Sequence, residues 1–335
     1  MAEQQEYWKA ETVAFYALQS LHGVGFKTLY RIAAQKISFR ELIRTDDISY
    51  FEKMLRLKLE ESIKNSPENW AHFKLELWSK GLDIARHLAK ENVYLIFYGH
   101  ESYPSQLKNI TEPPMWLFVQ GNISNLYSPS VAIIGSRKSS EDGLWLTKYI
   151  VATISNLGLV SVSGLAEGID QKAHIESIRF GVPTVAILGT GIDSNYPRGS
   201  ESIRADILAN NGTIVSEYLL GESYSAYNFV RRNRIQAGLA ETVVPVEWKI
   251  KSGTAHTVNF AKEFHRFIIM PYLQTSDCDS EEIKLVNQYS LGVAFKIPDH
   301  STELTQCISN PKKLMPPHTE LDEADLASLQ GSLDL

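Results

Sequence analysis

The stretch Val131-Ala132-Ile133-Ile134-Gly135-Ser136-Arg137 is followed by a second of the same kind, Val160-Ser161-Val162-Ser163-Gly164-Leu165-Ala166-Glu167-Gly168-Ile169-Asp170. Each starts apolar and β-branched and stops abruptly in small residues. This is the pattern of a buried parallel strand that brings its backbone to a ligand at the sheet's carboxyl edge. Further along, Phe229-Val230-Arg231-Arg232-Asn233-Arg234 supplies three guanidinium groups within four positions. Together these features point to recognition of an anion.

Outward from this centre, apolar and amphipathic stretches alternate. Strands are expected at 131–135, 159–163, 184–188, 213–216, 243–247, 266–270 and 292–296, with helices at 141–157, 168–180, 200–210, 229–239 and 254–264. The rhythm predicts an α/β fold: a doubly wound, mainly parallel sheet with helices on both faces and ligands outside the strands' carboxyl ends. Ahead of it, 93–97 and 116–119 read as strands, joined through Tyr103-Pro104 and the rigid Glu112-Pro113-Pro114. Residues 7–65 read as several short helices. Val13, Phe15, Tyr16, Leu18 and Leu21 recur at helical spacing, Gly23-Val24-Gly25 interrupts, and Leu29, Ile32 and Ala33 resume. A further amphipathic helix is expected at 66–90. Three segments follow: a small helical domain at 1–90, an α/β domain at 91–309, and an acidic tail at 310–335 that lacks a periodic core and is expected to be flexible.

The chain has 335 residues, 44% of them hydrophobic and 21% charged. That is enough for one substantial core with smaller additions. No apolar run approaches a membrane span, and Met1 to Glu6 lack the basic and apolar segments of a secretory signal, so a cytoplasmic protein with no membrane partner is expected. Cys278 and Cys307 alone make no disulfide scaffold and no metal-ligand cluster; a reducing compartment and no bound metal are expected. A net charge of −6 argues against a protein that coats DNA globally. Any nucleic-acid site must be local.

Several residues are candidates to carry that site. Gly135 lets the backbone turn closely, Ser136 offers a hydroxyl and Arg137 can fork onto phosphate, with an ordinary strand-end turn as the alternative. Gly164 and Gly168 bracket the corner after Ser163, so amides near Gly164 and Ala166 can face an anion at the next helix's amino terminus. Asp170 and His174 lie one helical turn apart, with Lys172 between them. They read either as an acid–base pair or as a capping aspartate with a histidine packed beneath the loop; the second is preferred because no nucleophile stands nearby in sequence. Tyr196 offers a stacking face or a buried hydroxyl, and Glu217 a tie between loops. Arg231, Arg232 and Arg234 around Asn233 are costly to bunch unless an anion or carboxylate answers them, the alternative being a solvated helix face. Ser252, Gly253 and Thr254 begin a helix whose hydroxyls and amides can hold another phosphate, with Lys249 and Lys251 adjacent. Lys27, beside the Gly23–Gly25 turn, is either a phosphate contact or part of a connector. Neither GxxxxGK[ST] nor a GxGxxG after the first sheet strand is present, so no nucleotide cofactor and no catalytic residue are expected.

The order of these motifs resembles the DprA/Smf family of DNA-processing proteins: GSR at 135–137, SGLAEGID at 163–170 with His174 four residues beyond Asp170, GTGIDSNYP at 189–197, Ser216-Glu217, Phe229 through Arg232-Asn233-Arg234-Ile235 to Gly238-Leu239, and Val246-Glu247 through Ser252-Gly253-Thr254. The likeness runs from about Tyr103 to Pro271. The amino-terminal hairpin is similar to the small helix-hairpin-helix or SAM-like domain that precedes the Rossmann-like domain in that family. The resemblance implies a non-enzymatic protein that binds single-stranded DNA in a basic pocket, forms a homodimer, and assists a RecA-type recombinase in natural transformation. On this chain, Ser136 and Arg137 would contact phosphate, the loop from Gly164 to Asp170 would shape the pocket floor, and Arg232 and Arg234 would clamp the strand. Glu167 departs from the pattern, standing where the family often places a basic side chain. It repels DNA unless Arg137 or Arg232 neutralises it, and Lys249 and Lys251 offer compensating charge. No winged-helix module of the kind many members carry is expected after 309. Two other readings stay open: a DprA-like component of a phage-defence or mobile-element module that senses DNA with a partner enzyme, and a small-nucleotide-binding or hydrolysing enzyme of related fold. The PGGxGTxxE signature of such enzymes survives only as the fragment Ser252-Gly253-Thr254.

Overall fold

The computed structural model describes residues 2–314; the expected tail lies, beyond Leu314, outside the described residues. A helical layer opens the chain: α1 (Ala2–Gln19), α2 (Phe26–Ala34), α3 (Phe39–Arg44), α4 (Ile48–Leu55), α5 (Glu61–Lys64) and α6 (Pro67–Lys90). Its starts are chemically marked. Ser38, Asp47 and Ser66 each accept a hydrogen bond from a first-turn amide of α3, α4 and α6, and Pro67 opens α6 where its missing N–H costs nothing. Gly23, at φ +87°, turns the chain between α1 and α2. At Gly81 helices α1 and α6 touch so closely that a Cβ would run into the backbone of Val13 and Ala17.

The sheet elements follow. β1 (Val93–Phe97) and β2 (Trp116–Gly121) are antiparallel, and β2 is antiparallel to its other neighbour. Then come β3 (Ser130–Gly135), α7 (Glu141–Ile154), β4 (Val160–Ser163), α8 (Ile169–Arg179), β5 (Thr184–Ile187), α9 (Glu201–Ala209) and β6 (Thr213–Ser216). The chain continues through α10 (Ala226–Leu239), β7 (Thr242–Glu247), α11 (Gly253–Glu263), β8 (Phe267–Leu273), α12 (Glu281–Asn287), β9 (Gly292–Ile297), α13 (Ser301–Ser309) and α14 (Pro311–Leu314). The strand order is β1-β2-β6-β5-β4-β3-β7-β8-β9, parallel from β6 to β9. This is the doubly wound, mainly parallel sheet that the sequence predicts. Helices α12, α13 and α14 lie outside the helices the sequence predicts; each is short and its apolar residues are few, and α14 occupies the first residues of the segment expected to be a flexible tail.

Strand β3 shows why the sheet is covered on both faces. Val131 and Ile133 pack with Leu146, Ile150 and Ile154 of α7 and Ile169 of α8, whereas Ala132 and Ile134 pack with Ile235 and Leu239 of α10 and Val258 of α11. The alternation is the period-two consequence of the pleat. A third apolar cluster joins Phe15, Tyr16 and Leu29 of the helical layer to Trp116 and Phe118 of β2, with the Phe15 and Trp116 ring centroids 4.9 Å apart. Apolar packing therefore runs across residue 90, from helices into sheet.

From β3 the chain winds outward through β4, β5 and β6, then returns to pair β7 against the other side of β3. The carboxyl ends of β3 and β7 are thus the topological switch point, where adjacent connections leave in opposite directions and a crevice must open. Pro245 widens it. Proline has no N–H for the ladder, and the β3–β7 register shifts between Ile134 and Gly135 opposite Pro245 and Glu247. Beyond the break, Ser136 N donates to Glu247 O at 2.7 Å.

The α1–α6 contact is testable. Gly81→Leu should lower unfolding free energy by about 1–3 kcal/mol through overpacking, read as a reduced urea midpoint.

Candidate functional site

A cavity of about 670 Å³ lies at this switch point, within the usual size range of ligand pockets. It gathers loop ends from β3 (Gly135, Ser136, Arg137, Lys138), from β4 into α8 (Ala166, Asp170), from β5 (Tyr196), from β6 into α10 (Tyr224, Phe229, Arg232, Asn233) and from β7 into α11 (Lys249, Ser252, Gly253, Thr254). The glycines decide how closely these loops meet. A Cβ on Gly135 would strike Ile169, and one on Gly164 would strike the Arg232 guanidinium and the Asp170 carboxylate. Gly168 adopts φ +84° with its Cα against the carbonyl of Ser136.

The cations of this region fall into two groups. Arg137 and Lys138 are exposed on the rim, and among the described residues neither has a carboxylate partner. The Arg137 guanidinium lies 5.2 Å from the Phe229 ring centroid, which orients it across the opening. Ser136 tightens their turn, its hydroxyl donating to Lys138 O and accepting from Lys138 N. The α11 amino terminus faces the same space with first-turn amides that the N-cap side chain leaves uncapped; the Ser252 hydroxyl donates to Lys249 O. Thr254 holds the two halves together by donating to Gly135 O at 2.9 Å. Asn233 donates to Gly253 O at 3.2 Å. Lys249 is exposed, with Glu282 3.9 Å away.

The arginines of α10 do not form the expected clamp. Arg232 is 4% exposed and pairs with Asp170 at 3.3 Å while donating to Ile187 O. Burial pushes the Asp170 carboxyl up, and Arg232 draws it back. Arg232 borders the cavity with charge already answered, and its buried Nε, like the indole N–H of Trp248, has no acceptor among the described residues. Arg234 turns away from the cavity, making two hydrogen bonds to the Glu217 carboxylate at 2.6 and 2.7 Å and one to Glu112 O at 2.8 Å. Its two like-minded neighbours are explained by geometry: successive helical positions point about 100° apart, so one face cannot collect all three. Arg231 lies over the rings of Phe26 and Tyr30 of α2, 4.9 and 5.3 Å from their centroids, beside Glu112.

Other expected contacts also have structural partners. Ser163 is buried and donates to Ile133 O at 2.6 Å. His174 is buried beneath the loop, Nε2–H donating to Gly164 O and Nδ1 accepting from the Thr184 hydroxyl at 2.7 Å. Burial lowers its pKa to about 4, so the ring is neutral at pH 7. Lys172 pairs with the buried Glu176 at 2.7 Å. Glu167 is exposed and outside the cavity lining, and neither Arg137 nor Arg232 pairs with it. Lys27 and Lys251 are exposed and outside the lining too. The lining residues Lys138, Tyr224, Phe229 and Trp248 were not among the candidates drawn from the sequence. Glu247 also borders the cavity, but its carboxylate accepts from Ser140 N and Oγ at 2.9 and 2.8 Å at the start of α7.

A family model for DNA recombination-mediator protein A matches residues 94–291, more than half of the chain. The chain belongs to this family. It is 39% identical over 163 residues to DNA processing protein DprA of Streptococcus pneumoniae, covering 49% of this chain and 57% of that protein. It is 38% identical over 176 residues to protein Smf of Escherichia coli, covering 52% and 47% respectively. The chain thus spans about half the length of the curated relatives it matches. The X-ray structure of the S. pneumoniae protein superposes with a TM-score of 0.62 at 26% identity, over 87% of this chain and 97% of that one. DNA processing protein A from Helicobacter pylori, whose structure was solved for its single-stranded DNA binding mode, gives 0.56 at 22% identity, over 64% and 95%; this second likeness concerns the fold. Among the described residues, no helix of this family member is long and apolar enough to cross a membrane.

Two tests bear on the frame of the site. Glu217→Gln leaves Arg234 buried without its counter-charge and should destabilise the fold by about 3–5 kcal/mol in urea titrations. His174 has its pKa lowered in the folded chain, so the unfolded chain takes up a proton first as pH falls. Its stabilising share is complete above the unfolded value of about 6.5 and shrinks down to pH about 4. The loss amounts to about 3 kcal/mol, and His174→Gln should flatten that acid limb in denaturation curves collected between pH 4 and 7.

Proposed function

We propose that this protein is a single-stranded DNA-binding recombination mediator whose switch-point cavity holds phosphates of the strand. The observation that carries the reading is the pair of cations, Arg137 and Lys138, that have no carboxylate partner among the described residues and stand beside the uncapped amino terminus of α11. Rim cations and free helix amides are the two standard means of holding a phosphate. The phosphate contacts assigned to Ser136 and Arg137 stay in this proposal, joined by Lys138 and by the amides of Gly253 and Thr254. Arg232 and Asp170 form the cavity wall, and Arg234 fixes the helix that carries it. The H. pylori relative's binding of single-stranded DNA supports the choice of ligand.

Binding without chemistry is part of the proposal. Asp170 and Glu247, the carboxylates at the cavity, already serve structural contacts, Asp170 with Arg232 and Glu247 with the amide and hydroxyl of Ser140 at the start of α7. Family membership supports delivery of the strand to a RecA-type recombinase, action as a homodimer and a cytoplasmic site of action.

Titration with fluorescent single-stranded and duplex oligonucleotides at two salt concentrations tests the reading. Single strands should bind more tightly than duplex, with affinity falling as salt rises. Arg137→Ala should weaken binding and reduce the log–log salt slope by about 0.7, the value for one single-strand phosphate contact. Binding that ignores salt, or no binding to either oligonucleotide, overturns it.

A further inference from the structure

We propose that Tyr224, backed by Tyr196, is a stacking platform for one unpaired nucleobase at the mouth of the cavity; this rests on the DNA-binding reading above. The two tyrosines come from different loops, Tyr196 from the one after β5 and Tyr224 from the one between β6 and α10. Their rings stack with centroids 4.3 Å apart and planes inclined by 19°. Tyr196 in turn leans on Phe229, at 5.3 Å, and the guanidinium of Arg137 sits over Phe229. All four side chains line the cavity. An aromatic series therefore begins beside the cation assigned to phosphate and ends on Tyr224, which is 58% exposed although Tyr196 backs it.

The loop carrying Tyr224 is held firmly on either side of the ring. Gly221 N donates to the Asp193 carboxylate, Gly191 N donates to Glu222 O at 2.9 Å, and Asn228 donates to the Glu222 carboxylate at 3.1 Å. Ser225 caps α10 by accepting from Asn228 N at 3.0 Å. A platform fixed in this way loses little entropy when a base settles on it. The same loop also shows what a structural tyrosine looks like here. Tyr218 is fully buried, and its hydroxyl donates to Asn228 O at 2.7 Å. Tyr224 has neither the burial nor a hydroxyl partner among the described residues, and presents apolar ring surface to solvent at the edge of a cationic pocket.

That combination of planar aromatic surface and adjacent cation matches a nucleotide, whose base has a π-face and whose phosphate carries the charge. A base can lie on Tyr224 only when it is unstacked and unpaired. The platform thereby favours single strands by a route separate from charge.

Anisotropy titrations of the full chain with an oligothymidylate and with an abasic strand of equal length and charge test the proposal. Tyr224→Ala should weaken binding to the oligothymidylate about tenfold, leave the salt slope unchanged, and leave binding to the abasic strand unchanged. Tyr224→Trp should retain wild-type affinity for the base-bearing strand. Equal affinity of Tyr224→Ala and wild type for the oligothymidylate overturns the platform, as does an equal loss on both strands, which would mark a structural role. If wild type binds both strands alike but with an Arg137-dependent salt slope, the DNA-binding reading stands and the platform falls. Wild-type protein that binds neither strand overturns both.

Discussion

The cavity depends on a buried ion pair, Arg232 with Asp170, set beneath the backbone of Gly164. Each charge would be prohibitive to bury alone, and each makes the other tolerable only at close range with further hydrogen bonds. Arg232 donates one to Ile187 O at the end of β5, which ties α10 to the sheet, while Asp170 stands in the first turn of α8. Two helices from opposite faces of the sheet are thereby joined across its carboxyl edge. Glycine at 164 is then a steric requirement, because the guanidinium and carboxylate occupy the space a side chain would need. His174 supports the same loop from below through Gly164 O, a neutral ring used as a strut. The second pair, Arg234 with Glu217, repeats the device one layer further out and anchors α10 to the strand end of β6.

Much of this frame is legible in the sequence because it rests on local signals. Apolar β-branched runs ending in glycine gave the parallel strands and their carboxyl-edge loops, and the motif order gave the family. What local signals cannot give is a partner. Asp170 and Arg232 are 62 residues apart, and Glu217 and Arg234 are 17 apart, so three arginines within four positions look like a surface patch until the fold supplies the carboxylates. The fold answers all three from inside the protein, Arg232 and Arg234 with buried carboxylates and Arg231 with Glu112 at 3.9 Å. Arg231 found aromatic rings from a helix some two hundred residues earlier, a contact with no sequence signature. Tyr224 carries little local signal for a related reason: it belongs to no strand-end glycine motif and no periodic run, although Tyr224, Tyr227 and Phe229 do stand as closely spaced aromatics just ahead of the arginines.

The departure at Glu167 also changes meaning in three dimensions. A carboxylate in a phosphate loop would oppose binding if it faced the ligand. Here the loop turns at Gly168, whose positive φ lays its backbone against Ser136, and Ala166 and Asp170 line the cavity while Glu167 faces solvent. Its influence is that of an exposed charge, screened over roughly a Debye length of 8–10 Å at ordinary salt. The acidic residue is thus compatible with an anion site because the chain's geometry separates them.

The same geometry limits how much of the site's affinity can be electrostatic. Once the internal pairs are set aside, the cationic surface at the cavity reduces, among the described residues, to Arg137, Lys138 and the partly answered Lys249, in a chain whose net charge is −6. Few counterions can be released by so small a set, and a duplex offers the same phosphates as a single strand. Preference between the two must come from something only the single strand presents. Unpaired bases are that feature, and the aromatic series from Phe229 through Tyr196 to Tyr224 is the surface beside those cations that can meet one. On the proposed reading, phosphate contacts position the strand while stacking selects it, two separable functions placed side by side at one sheet edge.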